Sequence, residues 1–464
     1  MADFDLLIIG AGSGNTILTE EFDHWRVAIV ERDRFGGTCL NRGCIPSKML
    51  VVPANRVIDS EESAPLGIGF APPEIDWPAM RDRVFGRIDP IASKGEEYRR
   101  GLPKVTVLRG DALMLDARRV RVTSASGSVE EVTSDRIVLA AGASPRIPGI
   151  DGLASTPFHT SDSIMRIEAV PEHLIILGGG FIAAELGHVF AALGSKVSIV
   201  HRGGRLLRHL DVDISTRFTQ QFSKRAFLHL DTEVRRVEHD GNGFTLTLDC
   251  EHPDRAPASE TLTGDALLVT TGRVPNGSHL GVSAAGVHLD PGGYVITDDT
   301  LFTGVPGIWA LGDIRNPLQL KHLANQEARV VSHNLLHPDS PISVDQRVVP
   351  HAVFSHPEIG AVGARQVDLD ARGHPYRVGH CDYGSVAYGW ALEDTSGFAK
   401  VLVCADEGVI LGAHVIGHQA ATLVQQVTQA MQFGIPARSL AREQIWCHPA
   451  LPEVIENALL NALE

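Results

Sequence analysis

Cysteine is scarce in this chain, with six in 464 residues. That density excludes a secreted fold stapled by crosslinks. No apolar stretch approaches the ~20 residues that span a bilayer, so no transmembrane helix is expected. Positive charge is in deficit: 41 Lys and Arg stand against 56 Asp and Glu, a net charge of −15. Such a balance argues against nucleic acid or an anionic membrane as partner. The opening residues Asp5-Leu6-Leu7-Ile8-Ile9 follow no basic leader or cleavage site, so no signal peptide is expected. The expected compartment is therefore the reducing cytoplasm, where a protein disulfide is usually catalytic.

What remains is an ordinary globular composition, 44% hydrophobic and 21% charged, in a chain long enough for several domains. One rough internal repeat organises it. Leu6–Ile9 runs into Gly10-Ala11-Gly12-Ser13-Gly14-Asn15, and Leu174–Leu177 runs into Gly178-Gly179-Gly180-Phe181-Ile182-Ala183. Each reads as a buried strand, a tight glycine turn and a helix start, followed by a second strand at Val27–Val30 or Val197–Val200. Two such units imply two dinucleotide sites.

Between them, residues 105–140 read as short strands. Residues 234–249 read as a hairpin and 251–264 as a surface loop. Beyond about residue 344, strands at Ala399–Val403 and Val409–Val415 and helices at Ala420–Phe433 and Pro452–Leu463 suggest a separate α+β domain without a nucleotide fingerprint.

In the first unit, Gly10, Gly12 and Gly14 allow the backbone to approach a pyrophosphate at a helix N-terminus. Asn15 occupies the third glycine position of the usual pattern. Glu31 ends the second strand, where a carboxylate can accept from ribose hydroxyls. Far along the chain, Gly312-Asp313 closes another strand and places Asp313 where ligands gather in open α/β sheets. In the second unit, Gly178, Gly180 and Ala183 form the turn. The second strand ends at His201-Arg202, with Arg205 and Arg208 following and no acid at the ribose position. Arginines there pair with a 2′-phosphate, so NADPH is preferred over NADH.

Cys39 and Cys44 form the one cysteine motif, in Gly36-Gly37-Thr38-Cys39-Leu40-Asn41-Arg42-Gly43-Cys44. Zinc is a rival use, but it usually needs four ligands and no second Cys/His pair lies nearby at ligand spacing. Paired structural thiols remain open on these residues alone. A working dithiol needs an electropositive site, because the thiolate is the reactive form; Arg42 and Lys48 are the nearby cations. Lys48 can pair with Glu185 on the second nucleotide helix. An acid/base is also needed, and His448 stands out because Glu453, five residues on, can fix its tautomer.

Together these residues resemble the pyridine nucleotide–disulfide oxidoreductases of the glutathione reductase and lipoamide dehydrogenase type. The resemblance spans nearly the whole chain. Gly-Gly-Thr-Cys-x4-Cys at 36–44 is its most specific part. It is joined by Ala140-Ala141-Gly142-Ala143-Ser144-Pro145, Thr271-Gly272-Arg273-Val274-Pro275-Asn276, Gly312-Asp313 and His448–Glu453. Gly12-Ser13-Gly14-Asn15 and Trp446-Cys447-His448-Pro449-Ala450-Leu451-Pro452-Glu453 are similar to members that reduce a low-molecular-weight thiol disulfide.

The resemblance implies FAD at the first site and NADPH at the second, and a homodimer whose active site is shared between subunits. It implies that Cys44 faces the flavin as the charge-transfer thiolate and that Cys39 is the interchange thiol. His448, held by Glu453, comes from the other subunit. Lys48 and Glu185 pair by the flavin. FAD contacts are implied for Gly10, Gly12, Gly14, Asn15, Glu31, Gly37, Thr38, Ala112 (near the adenine), Ala141, Gly142, Asp313 (at the ribityl chain), Leu320, Lys321 and His322. Nicotinamide-dinucleotide contacts are implied for Gly178, Gly180, Phe181, Ile182, Glu185, Arg202, Arg208 and Gly272. Arg42 departs from relatives, which often carry an apolar residue there, and bears on the dithiol potential.

The expected fold is α/β, with two Rossmann-like domains and a C-terminal α+β dimerisation domain. The FAD domain comprises residues 1–152 and 274–343, the NADPH domain 153–273, and the interface domain 344–464, opening near Phe354-Ser355-His356-Pro357. Rival readings are a glutathione reductase-like or lipoamide dehydrogenase-like enzyme, and a flavoprotein redox sensor with Cys39/Cys44 as its switch.

Overall fold

The computed structural model describes residues 2–250 and 258–464. Two compact units emerge. The first gathers Met1–Ser47, Ala79–Arg146 and Gly272–Gln346; the second gathers Lys48–Pro78, Ile147–Thr271 and Arg347–Glu464.

Among the described residues, the first unit is built on a five-stranded parallel sheet in the order Ile308–Ala310, Ile137–Leu139, Leu6–Ile9, Val27–Glu31, Val105–Arg109. Leu6–Ile9 is apolar without interruption because the central strand is covered on both faces, and all four residues are buried. Each such side chain contributes about 1.5–3 kcal/mol when fully buried. A three-stranded antiparallel sheet, Asp111–Met114, Arg119–Thr123 and Val129–Thr133, packs into the same core and carries Ala112.

The helix expected after the first glycine turn is instead two short 3-10 stretches, Ser13–Ile17 and Glu20–Phe22. The reason is a contact distant in sequence. The Asn15 carbonyl accepts from the Arg99 guanidinium at 2.8 Å, and its side-chain oxygen accepts a second bond at 2.8 Å. A carbonyl engaged this way is not offered to the N–H four residues on, and β-branched Thr16, Ile17 and Thr19 add little helix propensity.

The second unit holds a parallel sheet in the order Phe227–His229, Lys196–Val200, His173–Leu177, Ala266–Val269, matching the second repeat. The expected hairpin is present as Thr232–His239 paired with Phe244–Cys250. Ala258–Gly264, read from sequence as loop, is a third strand of that sheet. Its alternation in Ser259-Glu260-Thr261-Leu262-Thr263 was masked by the polar composition of the segment. Residues 251–257 of the expected loop lie outside the described residues.

The C-terminal part of this unit is a five-stranded antiparallel sheet in the order His351–Val353, Ile359–Gly363, Ile410–Ile416, Phe398–Cys404, Tyr376–Asp382. The helices Ala420–Gln432 and Pro452–Leu463 cover one face through Leu423, Val424, Val427, Val454, Ile455 and Leu459.

Candidate functional site

The glycine turn of the first unit is shaped by close approach. At Gly10, whose φ is +107°, an added Cβ would meet the Ala140 carbonyl oxygen at 2.3 Å. Gly12 differs: its nearest heavy atom would be Gly37 Cα at 3.7 Å, leaving room for a phosphate. Gly14 packs onto Ala140 and Ile8. Glu31 accepts from the N–H groups of Ala11 at 2.7 Å and Asp33 at 2.8 Å. Burial pushes its carboxyl up, while the Ala11 bond works against the rise.

Asp313 follows the strand Ile308–Ala310 in a 3-10 turn. Burial pushes its carboxyl up; Arg273 and Lys321 pull it down and Glu327 adds to the rise. Glu327 was not foreseen. It is fully buried and accepts from Gly312 N at 2.5 Å, Arg315 at 2.7 Å, and Asn316 and Gln346 at 3.0 Å each. It thereby fixes the Gly312-Asp313 turn. Its signal was a carboxylate on the apolar face of the helix Lys321–Leu336, beside Leu323, Ala324 and Ala328.

The dithiol sits at a helix junction. Cys39 lies within Gly37–Arg42, and Cys44 opens the helix Cys44–Glu61. Cys39 is half-buried and Cys44 exposed. The Cys39 thiol hydrogen-bonds Cys44, and this contact together with burial pushes it far above the ordinary thiol range. Buried Asn41 holds the turn before the helix, donating to Phe35 O at 2.8 Å and Gly37 O at 3.0 Å.

The cation serving the pair is Lys321. Burial lowers its pKa, and Cys39, Cys44 and Asp313 act to restore it. Its Nζ donates to Ser13 Oγ at 2.8 Å, tying the helix that starts at Lys321 to the glycine turn. Leu320 is the cap of that helix and His322 its second residue. Arg42 pairs with Asp33. Lys48 pairs with Glu185 at 2.5 Å.

In the second unit Glu185, on the helix Phe181–Ala192, is buried, and its other oxygen accepts from Phe354 N at 3.0 Å. Gly180 opens onto free space, with no heavy atom within 4 Å of an added Cβ. Phe181 begins the helix and is exposed, with Ile182 half-buried behind it. The strand Lys196–Val200 delivers His201 and exposed Arg202. Arg208 folds back over Gly203 beside His201. Burial lowers the His201 pKa, and Arg208 and Arg202 lower it further, so the loop is electropositive. An oxygen of Asp231 lies 3.1 Å from where a Cβ on Gly204 would stand.

His448 Nδ1 lies 2.8 Å from Glu453 Oε1, and Glu453 Oε2 accepts from Ala450 N at 2.9 Å. The His448 bond, then the Ala450 bond, hold the Glu453 carboxyl below its usual range. The His448 side chain is 71% exposed. Among the described residues no group of three or more His, Cys, Asp or Glu is placed to hold a metal ion. No described helix is long and apolar enough to cross a membrane.

The glycine cradles, the Glu31 carboxylate and the room above Gly12 and Gly180 fit two dinucleotides. Comparison with known proteins agrees. Residues 4–328 match the pyridine nucleotide-disulphide oxidoreductase model, and residues 349–459 match the dimerisation domain of the same group. The chain belongs to the pyridine nucleotide-disulphide oxidoreductases. It is 46% identical to a mycothione reductase of Mycobacterium tuberculosis, over 99% of this chain and all of that one. It is 31% identical to a dihydrolipoyl dehydrogenase of Chlamydia muridarum, over 98% of this chain and 96% of that one. Among solved structures it is similar to the HOCl-induced flavoprotein disulfide reductase RclA of Escherichia coli, with a TM-score of 0.84, 27% identity, and coverage of 98% of this chain and 99% of that one. The protein is a flavoprotein disulfide oxidoreductase that uses FAD and a nicotinamide dinucleotide, and its C-terminal domain is that of a homodimer.

Proposed function

We propose that the chain reduces mycothione, the disulfide of mycothiol, with NADPH. The observation that carries the chemistry is the Cys39–Cys44 hydrogen bond beside Lys321 in the unit that also holds the first glycine turn. The substrate rests on 46% identity to a mycothione reductase along the full chain, against 31% to a dihydrolipoyl dehydrogenase. The arginines of the loop Arg202–Arg208 support NADPH over NADH.

When bound, FAD supplies a two-electron relay between the nicotinamide and the protein disulfide. Gly10, Gly12, Gly14, Asn15, Gly37, Thr38, Ala141 and Gly142 would line its phosphates and flanking groups. Glu31 would take the ribose, Ala112 would adjoin the adenine, Asp313 would hold the ribityl chain, and Leu320, Lys321 and His322 would adjoin the pyrimidine. Gly178, Gly180, Phe181, Ile182, Arg202, Arg208 and Gly272 would receive NADPH. Lys48 and Glu185 orient one another and set the local field.

In the dithiol state, Cys39 passes its proton to His448 and attacks one sulfur of the substrate disulfide, forming a mixed disulfide. The departing thiolate takes that proton back from His448, whose Nδ1 is engaged by Glu453 so that Nε2 carries the exchange. Cys44 then attacks Cys39, the second thiol leaves, and the Cys39–Cys44 disulfide is restored. One NADPH and one proton are consumed for two thiols released. High exposure of His448 supports its acting in the site of the partner subunit. The domain limits 1–152 with 274–343, 153–273 and 344–464 belong to this reading, as does a cytoplasmic location.

Side-by-side assays of mycothiol, glutathione and lipoamide disulfides, with NADPH and with NADH, test it. The expected result is turnover preferring the mycothiol disulfide with NADPH. Faster turnover of either other disulfide would overturn the substrate, and equal use of NADH would overturn the cofactor preference.

A further inference from the structure

Lys400 is a lysine that the chemistry above does not use. It is 2% exposed, on the strand Phe398–Cys404, and its neighbours Ala399, Val401 and Val403 point to the opposite, helix-covered face. Its Nζ lies 3.0 and 3.2 Å from the two oxygens of Asp211 and 2.7 Å from Asp213. Asp211 is 1% exposed and caps the helix Val212–Phe222 through Asp213 N. A buried ion pair adds little net stability; what it can fix is register.

The register in question is that of the arginine loop. Asp211 ends the stretch that begins at Arg202. Three residues before Asp211, Arg208 reaches back over Gly203. One residue earlier Leu207 adopts a left-handed φ of 53°, strained for a leucine, and its N–H donates to Gly179 O at 2.7 Å. The cap of the helix Gln366–Arg372 holds the same stretch a second time: Arg365 donates to His209 O at 3.0 Å and is itself oriented by Asp368 at 2.7 Å. Gln366 N reaches Asp211 at 3.4 Å. Further along the helix, Arg217 donates to Ser396 O at 2.6 Å. A strained loop keeps one conformation only when its surroundings over-determine it.

We propose that Lys400 and Arg365 are positioning residues for nucleotide specificity: through Asp211 and the His209 carbonyl they hold the Arg202–Arg208 loop in the shape that receives the 2′-phosphate. This rests on the reading of that loop as a 2′-phosphate site. Neither residue touches the nucleotide.

The test uses the full-length holoenzyme and its Lys400→Met and Arg365→Met variants. Arg365 is partly exposed, so Arg365→Met keeps the inference testable if Lys400→Met does not fold. Binding of 2′,5′-ADP and of 5′-AMP is measured by calorimetry, and KM and kcat with NADPH and NADH by steady-state assay. Each variant is expected to lose about tenfold in 2′,5′-ADP affinity, the order of one charge-assisted hydrogen bond. The KM for NADPH rises in proportion, while 5′-AMP binding, the KM for NADH and kcat hold. If folded variants keep the wild-type preference, or lose both nucleotides equally, the inference falls and the loop reading stands. If the wild type itself binds both fragments alike, the loop reading falls and the inference with it.

Discussion

Lys48 Nζ lies 2.5 Å from Glu185 Oε2, and the carboxylate side chain is only 8% exposed against 33% for the lysine. The pair is therefore asymmetric. Glu185 is the desolvated member and depends on Lys48 and the Phe354 N–H for compensation.

Glu185→Gln removes the charge and keeps the shape. It is expected to cost about 1–2 kcal/mol, discounted because Lys48 reaches solvent. Thermal unfolding checks this. Stopped-flow reduction of the flavin by NADPH is expected to slow in the same variant.

His448→Gln removes the proton donor and leaves the dithiol intact. Disulfide turnover is expected to fall by about 10²–10⁴. Reduction of the flavin by NADPH, followed by absorbance, should be unchanged. Glu453→Gln should lower turnover less, because it disturbs the orientation of the imidazole and not its presence.

Removing a guanidinium from the second nucleotide loop weakens NADPH specifically. Arg202→Ala or Arg208→Ala is expected to raise the KM for NADPH by about 10–100-fold, the range of a hydrogen bond to a charged group. The KM for NADH should stay level, so the ratio of the two is the quantity to measure.

Two buried histidines set a pH dependence of stability. Burial lowers His188 to about 3, and it also lowers His414; each ring is 2% exposed. Their folded pKa values lie below the unfolded ones, so below about 6.5 the unfolded chain binds more protons. The His188 contribution to stability therefore rises with pH from about 3 to 6.5, by up to about 1.4 kcal/mol per unit, and His414 adds to it in the same direction. His188→Gln retains a donor for Asn55, which the ring meets at 2.7 Å. It should flatten the fall in melting temperature between pH 6.5 and 4.

The two parallel sheets were legible because buried parallel strands read as unbroken apolar runs, as in Leu6–Ile9 and Leu174–Leu177. The cysteine spacing and the His448–Glu453 interval were local signals, and the structure finds both pairs in contact. The 3-10 stretch at Ser13–Ile17 was not legible, because it depends on Arg99, 84 residues away from Asn15. Lys321, 282 residues beyond Cys39, could be placed only by family resemblance; its action on both thiols needed the fold. Sequence gives the distance of Arg42 from the cysteines but not its partner Asp33. Lys400 looked like any strand lysine until the fold placed Asp211 against it.

The central claim is that electrons reach substrate through Cys39. Cys39→Ser, mixed anaerobically with NADPH and then with mycothiol disulfide, tests it most directly. The account predicts that the flavin absorbance is bleached by NADPH, that added disulfide does not restore it, and that no thiol is released. Thiol release at the wild-type rate from that variant would contradict the account.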